Sequence, residues 1–293
     1  MAGFDYAGKA IVVTGGASGL GTAFCKLLAK RGARVGVADV QAEKAMAVAD
    51  DIGGEAMGFA VDTASLESVE ALADAAWSAF GRVDGIFNNA GVGGGGRQLV
   101  KIAPEDFDWI WSVNVKGVWH GCRVFGARFL DQEGPALIVN TGSEHALGVP
   151  HVNNGAYTGA KHAVLGMTDV LRREMPERVQ VSVFCPGLTA TDIWNAQAIR
   201  PSEFGGPVEG HPLSRAVMDR GMDPLDVAGR ALEAIASGAF YVITHPHNRA
   251  MVEDRFTEQR AALESQNKGI DGEGYDVNDV LADVLGARAP KRP

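Results

Sequence analysis

Tyr157 and Lys161 lie four positions apart, shortly after Ser143, which ends the polar stretch that follows the apolar run Ala136–Val139. The sequence around Tyr157 predicts a helix, and residues i and i+4 of a helix share one face. A free tyrosine titrates near pH ~10, so it exchanges protons poorly at neutrality. An ammonium one turn away stabilises the phenolate, and we expect Lys161 to lower the pKa of Tyr157 toward the working pH. With the Ser143 hydroxyl in the same space, the three residues predict a site that moves a proton on and off an alcohol oxygen.

Such a site needs a hydride carrier, and the N-terminal stretch predicts one. Lys9–Thr14 has the pattern of a strand, Gly15–Gly21 is glycine-rich, and an amphipathic helix follows. A second strand, Ala33–Ala38, ends on Asp39. This order is that of a dinucleotide-binding βαβ unit, although the spacing is Gly-x-x-x-Gly-x-Gly instead of the commoner Gly-x-Gly-x-x-Gly. Glycines let the backbone approach a pyrophosphate, and the helix N-terminus favours its negative charge.

Asp39 lies 18 residues beyond Gly21, where an acid can accept hydrogen bonds from the adenosine ribose. A carboxylate at that place repels a 2′-phosphate, so the sequence predicts NAD in preference to NADP. Arg34 lies earlier in the strand and is not expected to reach such a phosphate. The alternative interpretation of Asp39 is an ordinary loop aspartate.

Strand patterns alternate with helix patterns along the chain, which predicts an α/β fold with a Rossmann-type, doubly wound parallel sheet of about seven strands and helices on both faces. We expect one domain over 1–293, with a core at about 8–245, a substrate loop at about 188–223 and a C-terminal helix and tail at about 250–293. Residues 104–130 predict one long helix or two. Ligands of such sheets bind at the carboxyl ends of the strands. The residues predicted to lie at those ends are Gly15, Asp39, Asp62, Asn88, Ser143 and Pro186.

Composition excludes several classes of function. A formal charge of −9 and a pI near 5.3 argue against nucleic acid or an anionic membrane as partner. No run of 18 apolar residues predicts a transmembrane helix, and the N-terminus has no signal-peptide pattern. The three widely spaced cysteines, Cys25, Cys122 and Cys185, indicate buried thiols in a reducing cytoplasm.

Together these features resemble the short-chain dehydrogenase/reductase family in its single-domain form, over about residues 8–245. The motifs that carry the resemblance are Thr14-Gly-Gly-Ala-Ser-Gly-Leu-Gly21, Asp62, Asn88-Asn-Ala-Gly91, Asn114, Ser143, Tyr157-Thr-Gly-Ala-Lys161, and Pro186-Gly187 with Thr191. The resemblance implies a secondary alcohol dehydrogenase that binds NAD(P) and forms a homotetramer or homodimer.

The resemblance also implies residue roles. Tyr157 would be the general acid/base, Lys161 would lower its pKa and hold the nicotinamide ribose, and Ser143 would orient the substrate oxygen. Asn114 would hold a water in a proton relay; the alternative interpretation is that it caps or kinks its helix by bonding backbone. The residues expected to line the cofactor are Gly15, Ser18, Gly19, Leu20, Gly21, Asp39, Val61, Asp62, Asn89, Ala90, Gly91, Tyr157, Lys161, Pro186, Gly187, Thr189 and Thr191.

The substrate is the least determined part of the prediction. Ser143, His145, Tyr157 and Trp194 are expected to line its pocket, although His145 fits a purely structural place equally well. The apolar and aromatic surroundings favour an uncharged, bulky, aromatic or cyclic alcohol. The tail, 266–293, predicts either a frayed end or an arm onto a neighbouring subunit, on the apolar pattern of Val277, Val280, Leu281 and Leu285.

Several alternatives stay open. An NADP-preferring ketone reductase of the same family and a non-catalytic dinucleotide-sensing protein both fit the fold. An epimerase or dehydratase acting on sugar nucleotides is disfavoured because no large C-terminal substrate domain follows the sheet. A hydrolase built on Ser143 lacks the Gly-x-Ser-x-Gly turn. No metal site is predicted, since His245 and His247 have no other close ligand in the sequence.

Overall fold

Seven parallel strands form one sheet in the order β3-β2-β1-β4-β5-β6-β7. The chain order reverses between β1 and β4, and this is the switch point at which such sheets open a crevice for ligands. The predicted fold class is confirmed. The strands are β1 (Ala10–Thr14), β2 (Arg34–Asp39), β3 (Met57–Ala60), β4 (Gly85–Asn88), β5 (Ala136–Thr141), β6 (Val179–Cys185) and β7 (Tyr241–Ile243).

This computed structural model describes residues 3–94, 96–148 and 151–269, together with positions 276, 277, 280 and 284. The chain divides into two compact units, Met1–Val252 and Glu253–Pro293. The first unit contains the whole sheet. A single domain over the full chain stays a prediction. Of the tail residues, Val277 and Val280 are exposed, whereas Leu281 and Leu285 lie outside the described residues.

Helices cover both faces of the sheet. On one face, Phe24 of the first helix and Leu232 of the eighth pack against Phe184 of β6. On the other face, Phe125 and Phe129 pack against strand residues that include Ile138. The helices are α1 (Gly19–Lys30), α2 (Ala42–Ile52), α3 (Leu66–Phe80), α4 (Pro104–Trp111), α5 (Gly117–Asp131), α6 (Gly155–Glu174), α7 (Pro212–Met218), α8 (Pro224–Ala236) and α9 (Asn248–Gln266). In the described part of the chain, no helix is both long enough and apolar enough to cross a bilayer.

The fifth strand extends two residues beyond the apolar run that predicted it. Asn140 and Thr141 are polar but buried, and both pair with β6. The Asn140 amide accepts a hydrogen bond from Asn88 Nδ2 (2.8 Å) and donates to Thr168 Oγ1 (3.0 Å). Because this side chain finds partners inside the protein, polarity does not end the strand there.

The segment predicted as one helix or two is continuous but changes pitch. A π-helical turn, Ser112–Lys116, joins α4 to α5. Such turns interrupt α-helices mostly at functional sites, and Asn114 lies at the centre of this one. The predicted substrate loop, 188–223, contains two 3₁₀ segments, Asp192–Ile199 and Ser202–Phe204, followed by α7.

Candidate active site

Tyr157 and Lys161 lie in the first two turns of α6, directly after the loop that contains Ser143. The Lys161 Nζ lies 5.5 Å from the centre of the Tyr157 ring, so the predicted shared face is present. Lys161 is only 3% exposed, and its Nζ donates a hydrogen bond to the carbonyl of Thr141 at the end of β5 (2.8 Å). The sheet edge thus fixes the ammonium beside the phenol.

The expected lowering of the Tyr157 pKa by Lys161 is not seen in this structure. Burial raises the pKa of Tyr157 to about 12, while its hydrogen bond with Ser143 works in the opposite direction and the Glu144 carboxylate raises it further. Burial also lowers the pKa of Lys161 to about 8, so desolvation disfavours the charge of both groups. The four-residue spacing predicts the attraction between the two charges, but it carries no information about the desolvation of each group.

Ser143 is buried and extended, at the point where β5 passes into a 3₁₀ turn, Glu144–Ala146. Its Oγ accepts a hydrogen bond from the backbone of His145 (3.3 Å). It also lies close enough to the Tyr157 phenol to lower the pKa of that group. Two hydroxyl groups therefore meet at one place, which is the arrangement needed to hold the oxygen of an alcohol or a ketone.

Asn114 approaches the same site from the π-helical turn. Its side-chain amide pairs with both backbone groups of Val92, accepting from the nitrogen and donating to the oxygen (2.9 Å each). A Cβ on Gly91 would lie 3.0 Å from Asn114 Oδ1 and 3.8 Å from Lys161 Nζ, so these three residues converge. The backbone that it bonds belongs to the loop after β4 and not to its own helix, and the water relay stays a prediction.

The glycine turn after β1 forms a backbone cradle. A Cβ on Gly21 would lie 1.9 Å from the carbonyl oxygen of Gly15, and Gly15 itself adopts φ +65°. Ser18 precedes α1 as its N-cap residue but its side chain makes no capping hydrogen bond, which leaves the first N–H groups of the helix to a ligand. Close backbone approach and free N–H donors fit the pyrophosphate of a dinucleotide.

Thr14 supports this cradle in a way that the sequence interpretation missed. Its Oγ1 accepts hydrogen bonds from the backbone nitrogens of Asn89 (3.0 Å) and Ala90 (3.1 Å). The Asn89 side chain in turn donates to the carbonyl of Thr14 (3.0 Å). One buried hydroxyl thus ties the end of β1 to the Asn-Asn-Ala-Gly segment after β4, across the switch point.

Asp39 ends β2 with both carboxylate oxygens in use. One accepts from the backbone nitrogen of Ala17 in the glycine turn (3.1 Å), and the other accepts from that of Gln41 (3.0 Å). Each oxygen keeps a further lone pair, so the ribose contact is compatible with these bonds. The carboxylate is 6% exposed and is fixed at the end of β2, and its contact with a ribose stays a prediction.

The remaining predicted cofactor residues lie at the same edge of the sheet. A Cβ on Gly19 would lie 3.0 Å from Cβ of Thr191, so the loop after β6 reaches the glycine turn. Thr189 is buried and donates to the carbonyl of Gly187 (3.0 Å). Val61 is buried and Asp62 exposed at the end of β3. Contact of Ser18, Leu20, Pro186 and these residues with a cofactor stays a prediction.

His245 braces the loop after β6, which the sequence did not indicate. Its Nδ1 accepts from the backbone nitrogen of Gly187, and its Nε2 donates to the carbonyl of Leu188 (3.0 Å each). Since both ring nitrogens are engaged with backbone, His245 holds the Pro186-Gly187 segment in place.

Two predicted substrate residues have different surroundings. His145 meets the Tyr157 ring edge to face, with centres 5.1 Å apart, and its Nδ1 bonds Thr158 Oγ1 (2.8 Å). Burial lowers the pKa of His145 to about 4, so its ring is neutral at pH 7. Trp194 packs beside Gly210 and under the guanidinium of Arg215 (5.8 Å) within the 188–223 segment. A place in the substrate pocket stays a prediction for both.

The family model described as short chain dehydrogenase matches residues 9–201. The chain belongs to the short-chain dehydrogenase/reductase family. It is therefore an oxidoreductase that acts on hydroxyl groups. The predicted family and the predicted enzyme class are both confirmed.

The relatives include named dehydrogenases and solved structures. The chain is 38% identical to a 2,5-dichloro-2,5-cyclohexadiene-1,4-diol dehydrogenase of Sphingobium indicum, over 81% of this chain and 94% of that protein. It is 30% identical to a C alpha-dehydrogenase of a Sphingobium species, over 90% of each. A short-chain dehydrogenase/reductase from Burkholderia phymatum, solved in complex with NAD, shares 36% identity with a TM-score of 0.81, over 92% of this chain and 98% of that one. Because that relative binds NAD, the predicted cofactor is confirmed.

Proposed function

We propose that this protein is an NAD-dependent dehydrogenase that interconverts a secondary alcohol and a ketone, with Tyr157 as the general acid/base. The observation that carries the proposal is the convergence of Tyr157, Ser143 and Lys161 at the sheet edge that also holds the glycine cradle and Asp39. Proton chemistry and a dinucleotide site therefore share one crevice.

Three residues of the site, Ser143, Tyr157 and Lys161, have defined roles in this proposal. Ser143 and Tyr157 hold the substrate oxygen between two hydroxyl groups, and Tyr157 takes the alcohol proton in the oxidative direction. Lys161, anchored on the Thr141 carbonyl, supplies positive charge beside the phenol while it is protonated. Bound NAD would supply the acceptor for the hydride that leaves the carbinol carbon. The protein contributes placement, which shortens the search for a reactive geometry.

Residues 14–21 and Asp39 would hold the cofactor. The Gly15–Gly21 contact admits no side chain, and Asp39 presents a carboxylate that accepts hydrogen bonds and repels a 2′-phosphate. These two features support NAD over NADP.

Uncharged cyclic or aromatic alcohols are the proposed substrates. His145 meets the Tyr157 ring edge to face, and burial lowers the pKa of His145 to about 4, so this neighbour adds an uncharged aromatic surface at pH 7. The cyclohexadienediol dehydrogenase relative acts on a cyclic diol by its name. A screen of NADH formation across aliphatic, cyclic and aryl alcohols and sugar alcohols tests this class, and turnover confined to phosphorylated or carboxylated alcohols would contradict it.

A Tyr157→Phe variant tests the mechanism. General acid–base catalysis contributes about 10²–10⁴ in rate, so turnover should fall by that factor while NAD affinity stays nearly unchanged. The matched control is Tyr241→Phe, because Tyr241 is a half-exposed tyrosine on β7 at the far edge of the sheet. Near-wild-type activity of Tyr157→Phe would refute the proposed role of Tyr157. An equal loss of turnover in Tyr157→Phe and Tyr241→Phe would indicate a general effect on folding.

The proposal extends to assembly and location. Self-association as a tetramer or dimer is supported by the exposed apolar side chains of Trp119 and Leu130 on α5. A cytoplasmic location is supported by three cysteines that are all free thiols. Light scattering of the purified protein measures the first of these.

A further inference from the structure

A carboxylate with histidines around it lies directly beside the proposed catalytic serine. Glu144 follows Ser143 in the 3₁₀ turn, and its side chain is only 11% exposed. Its Oε2 lies 2.8 Å from His247 Nε2, and its Oε1 lies 3.6 Å from His151 Nε2. The proposed reaction assigns no task to this group.

His145 completes the cluster. Its ring stacks on that of His151, with centres 4.2 Å apart and 26° between the planes. Because His145 Nδ1 is engaged with Thr158, its Nε2 remains as the nitrogen for a ligand. One ligand atom from each of Glu144, His145 and His151 can be chosen so that all three lie within 4.8 Å of one another.

We propose that Glu144, His145 and His151 form a binding site for a divalent transition metal ion of the zinc class. Two imidazoles and one carboxylate are a common set of three protein ligands for Zn²⁺, with the fourth position left to water. Imidazole nitrogens favour zinc, cobalt or nickel over magnesium or calcium, which prefer oxygen ligands.

The geometry needs only a small adjustment to bind an ion. Metal–ligand distances of about 2.0–2.2 Å place tetrahedral ligands about 3.3–3.6 Å apart, so the three donors must move together by about an ångström. The His151 side chain is 43% exposed and can make that movement, whereas Glu144 is held by its surroundings. The His247 hydrogen bond fixes one carboxylate oxygen and leaves the other toward His151, which is the role of an orienting partner behind a ligand.

This site was missed in the sequence because its ligands are split by a loop. Glu144 and His145 are adjacent, but His151 comes six residues after His145. His247 lies about a hundred positions further along the chain, in the segment that follows β7. His245 and His247, the histidine pair considered as metal ligands from the sequence, have different partners in the structure. His245 hydrogen-bonds the backbone of Gly187, and His247 hydrogen-bonds Glu144.

Metal binding by the full-length, tag-free protein tests the proposal. After dialysis against a chelator, Zn²⁺ is titrated by calorimetry and Co²⁺ is followed by its visible absorption. We expect one ion per chain and the intense visible bands of tetrahedral Co²⁺. The Glu144→Gln and His151→Ala variants should each weaken binding by more than the about 10–100-fold that loss of an orienting partner causes.

The matched control is His211→Ala. His211 is exposed and caps α7 by accepting a hydrogen bond from the Leu213 nitrogen at Nδ1, and it is not a member of the Glu144, His145 and His151 group. It should bind the ion like the wild type, and thermal unfolding should show that all variants are folded. No stoichiometric binding, or unchanged affinity in Glu144→Gln and His151→Ala, would overturn the site and leave a simple ion pair between Glu144 and its histidines. The readout is binding alone, so its failure leaves the proposed dehydrogenase standing.

Discussion

The charge of Asp39 should decide which dinucleotide the protein uses. An Asp39→Asn substitution removes that charge and keeps the size of the side chain. The carboxylate is 6% exposed and is fixed by hydrogen bonds from Ala17 (3.1 Å) and Gln41 (3.0 Å). Because it cannot swing away, it repels any anion placed on the neighbouring ribose.

The size of that repulsion follows from Coulomb's law. Two unit charges about 5 Å apart interact by about 3 kcal/mol at an effective dielectric constant of about 20. Since every 1.4 kcal/mol is a factor of ten, discrimination against NADP from this carboxylate is about a hundredfold. We expect Asp39→Asn to shift the ratio of kcat/KM for NADP to that for NAD by about that factor, in favour of NADP.

The assay is initial-rate kinetics with both cofactors at low salt and again at high salt, because a charge effect is screened by ions. Asparagine loses one of the two backbone hydrogen bonds, so affinity for both cofactors should fall somewhat, and the ratio is the informative quantity. Asp62→Asn is the matched control, since Asp62 is an exposed carboxylate at the next strand end. An unchanged ratio in Asp39→Asn, or an equal change in Asp62→Asn, would refute the electrostatic reasoning.

Three further predictions concern the buried groups of the site. Without cofactor, Lys161 has a pKa of about 8, against 10.5 for a free lysine. The unfolded chain therefore binds more protons than the folded protein between those pH values, and the free energy of unfolding should increase with pH there. Urea unfolding from pH about 7.5 to 9.5 should show this increase in the wild type and not in Lys161→Met. Because burial raises the pKa of Tyr157 to about 12 and oxidation needs the phenolate, kcat/KM for NAD in the oxidative direction, which reports the free protein, should increase with pH from about 7 to 10, and a flat profile would contradict this. In Gly21→Ala the new Cβ would lie 1.9 Å from the Gly15 carbonyl oxygen, so we expect the free energy of unfolding to fall by about 1–3 kcal/mol and NAD binding to be lost. Thermal shift and NAD titration measure these two effects. The control Gly166→Ala, where nothing lies within 4 Å of the new Cβ, should keep both its stability and its NAD binding.

Periodicity was sufficient for the sheet because buried parallel strands are short apolar runs. Val12, Ile86, Ile138 and Val183 lie in such runs, and each is fully buried. The Rossmann order then followed from strands that alternate with helices, and it placed Asp39 and Ser143 at one edge. Only the ends of elements were misjudged, as at Asn140, where a polar residue continues the strand because Asn88 and Thr168 satisfy its amide.

Partners distant in sequence could not be predicted from local patterns. Thr14 was part of a recognised motif, but its hydrogen bonds to Asn89 and Ala90 span about 75 positions of the chain and depend on the packing of β1 beside β4. His245 bonds Gly187 across a separation of 58 residues for the same kind of reason. No spacing rule connects such pairs, because the fold sets the distance between them.

The Tyr157–Lys161 pair shows where a sequence argument about chemistry needs the structure. Spacing placed the two groups on one face, and the structure has them there, with Nζ 5.5 Å from the ring centre. Spacing carries no information about desolvation, which shifts both pKa values toward the neutral forms. A neutral phenol beside a lysine whose pKa is only about 8 would hold a substrate oxygen but would not favour the phenolate. The proposed reaction therefore depends on charge that arrives with the bound ligands, and Tyr157 should titrate at lower pH in the NAD complex than in the free protein. Ultraviolet difference titration of wild type against Tyr157→Phe, with and without NAD, measures that change, and an identical pKa in both states would contradict it.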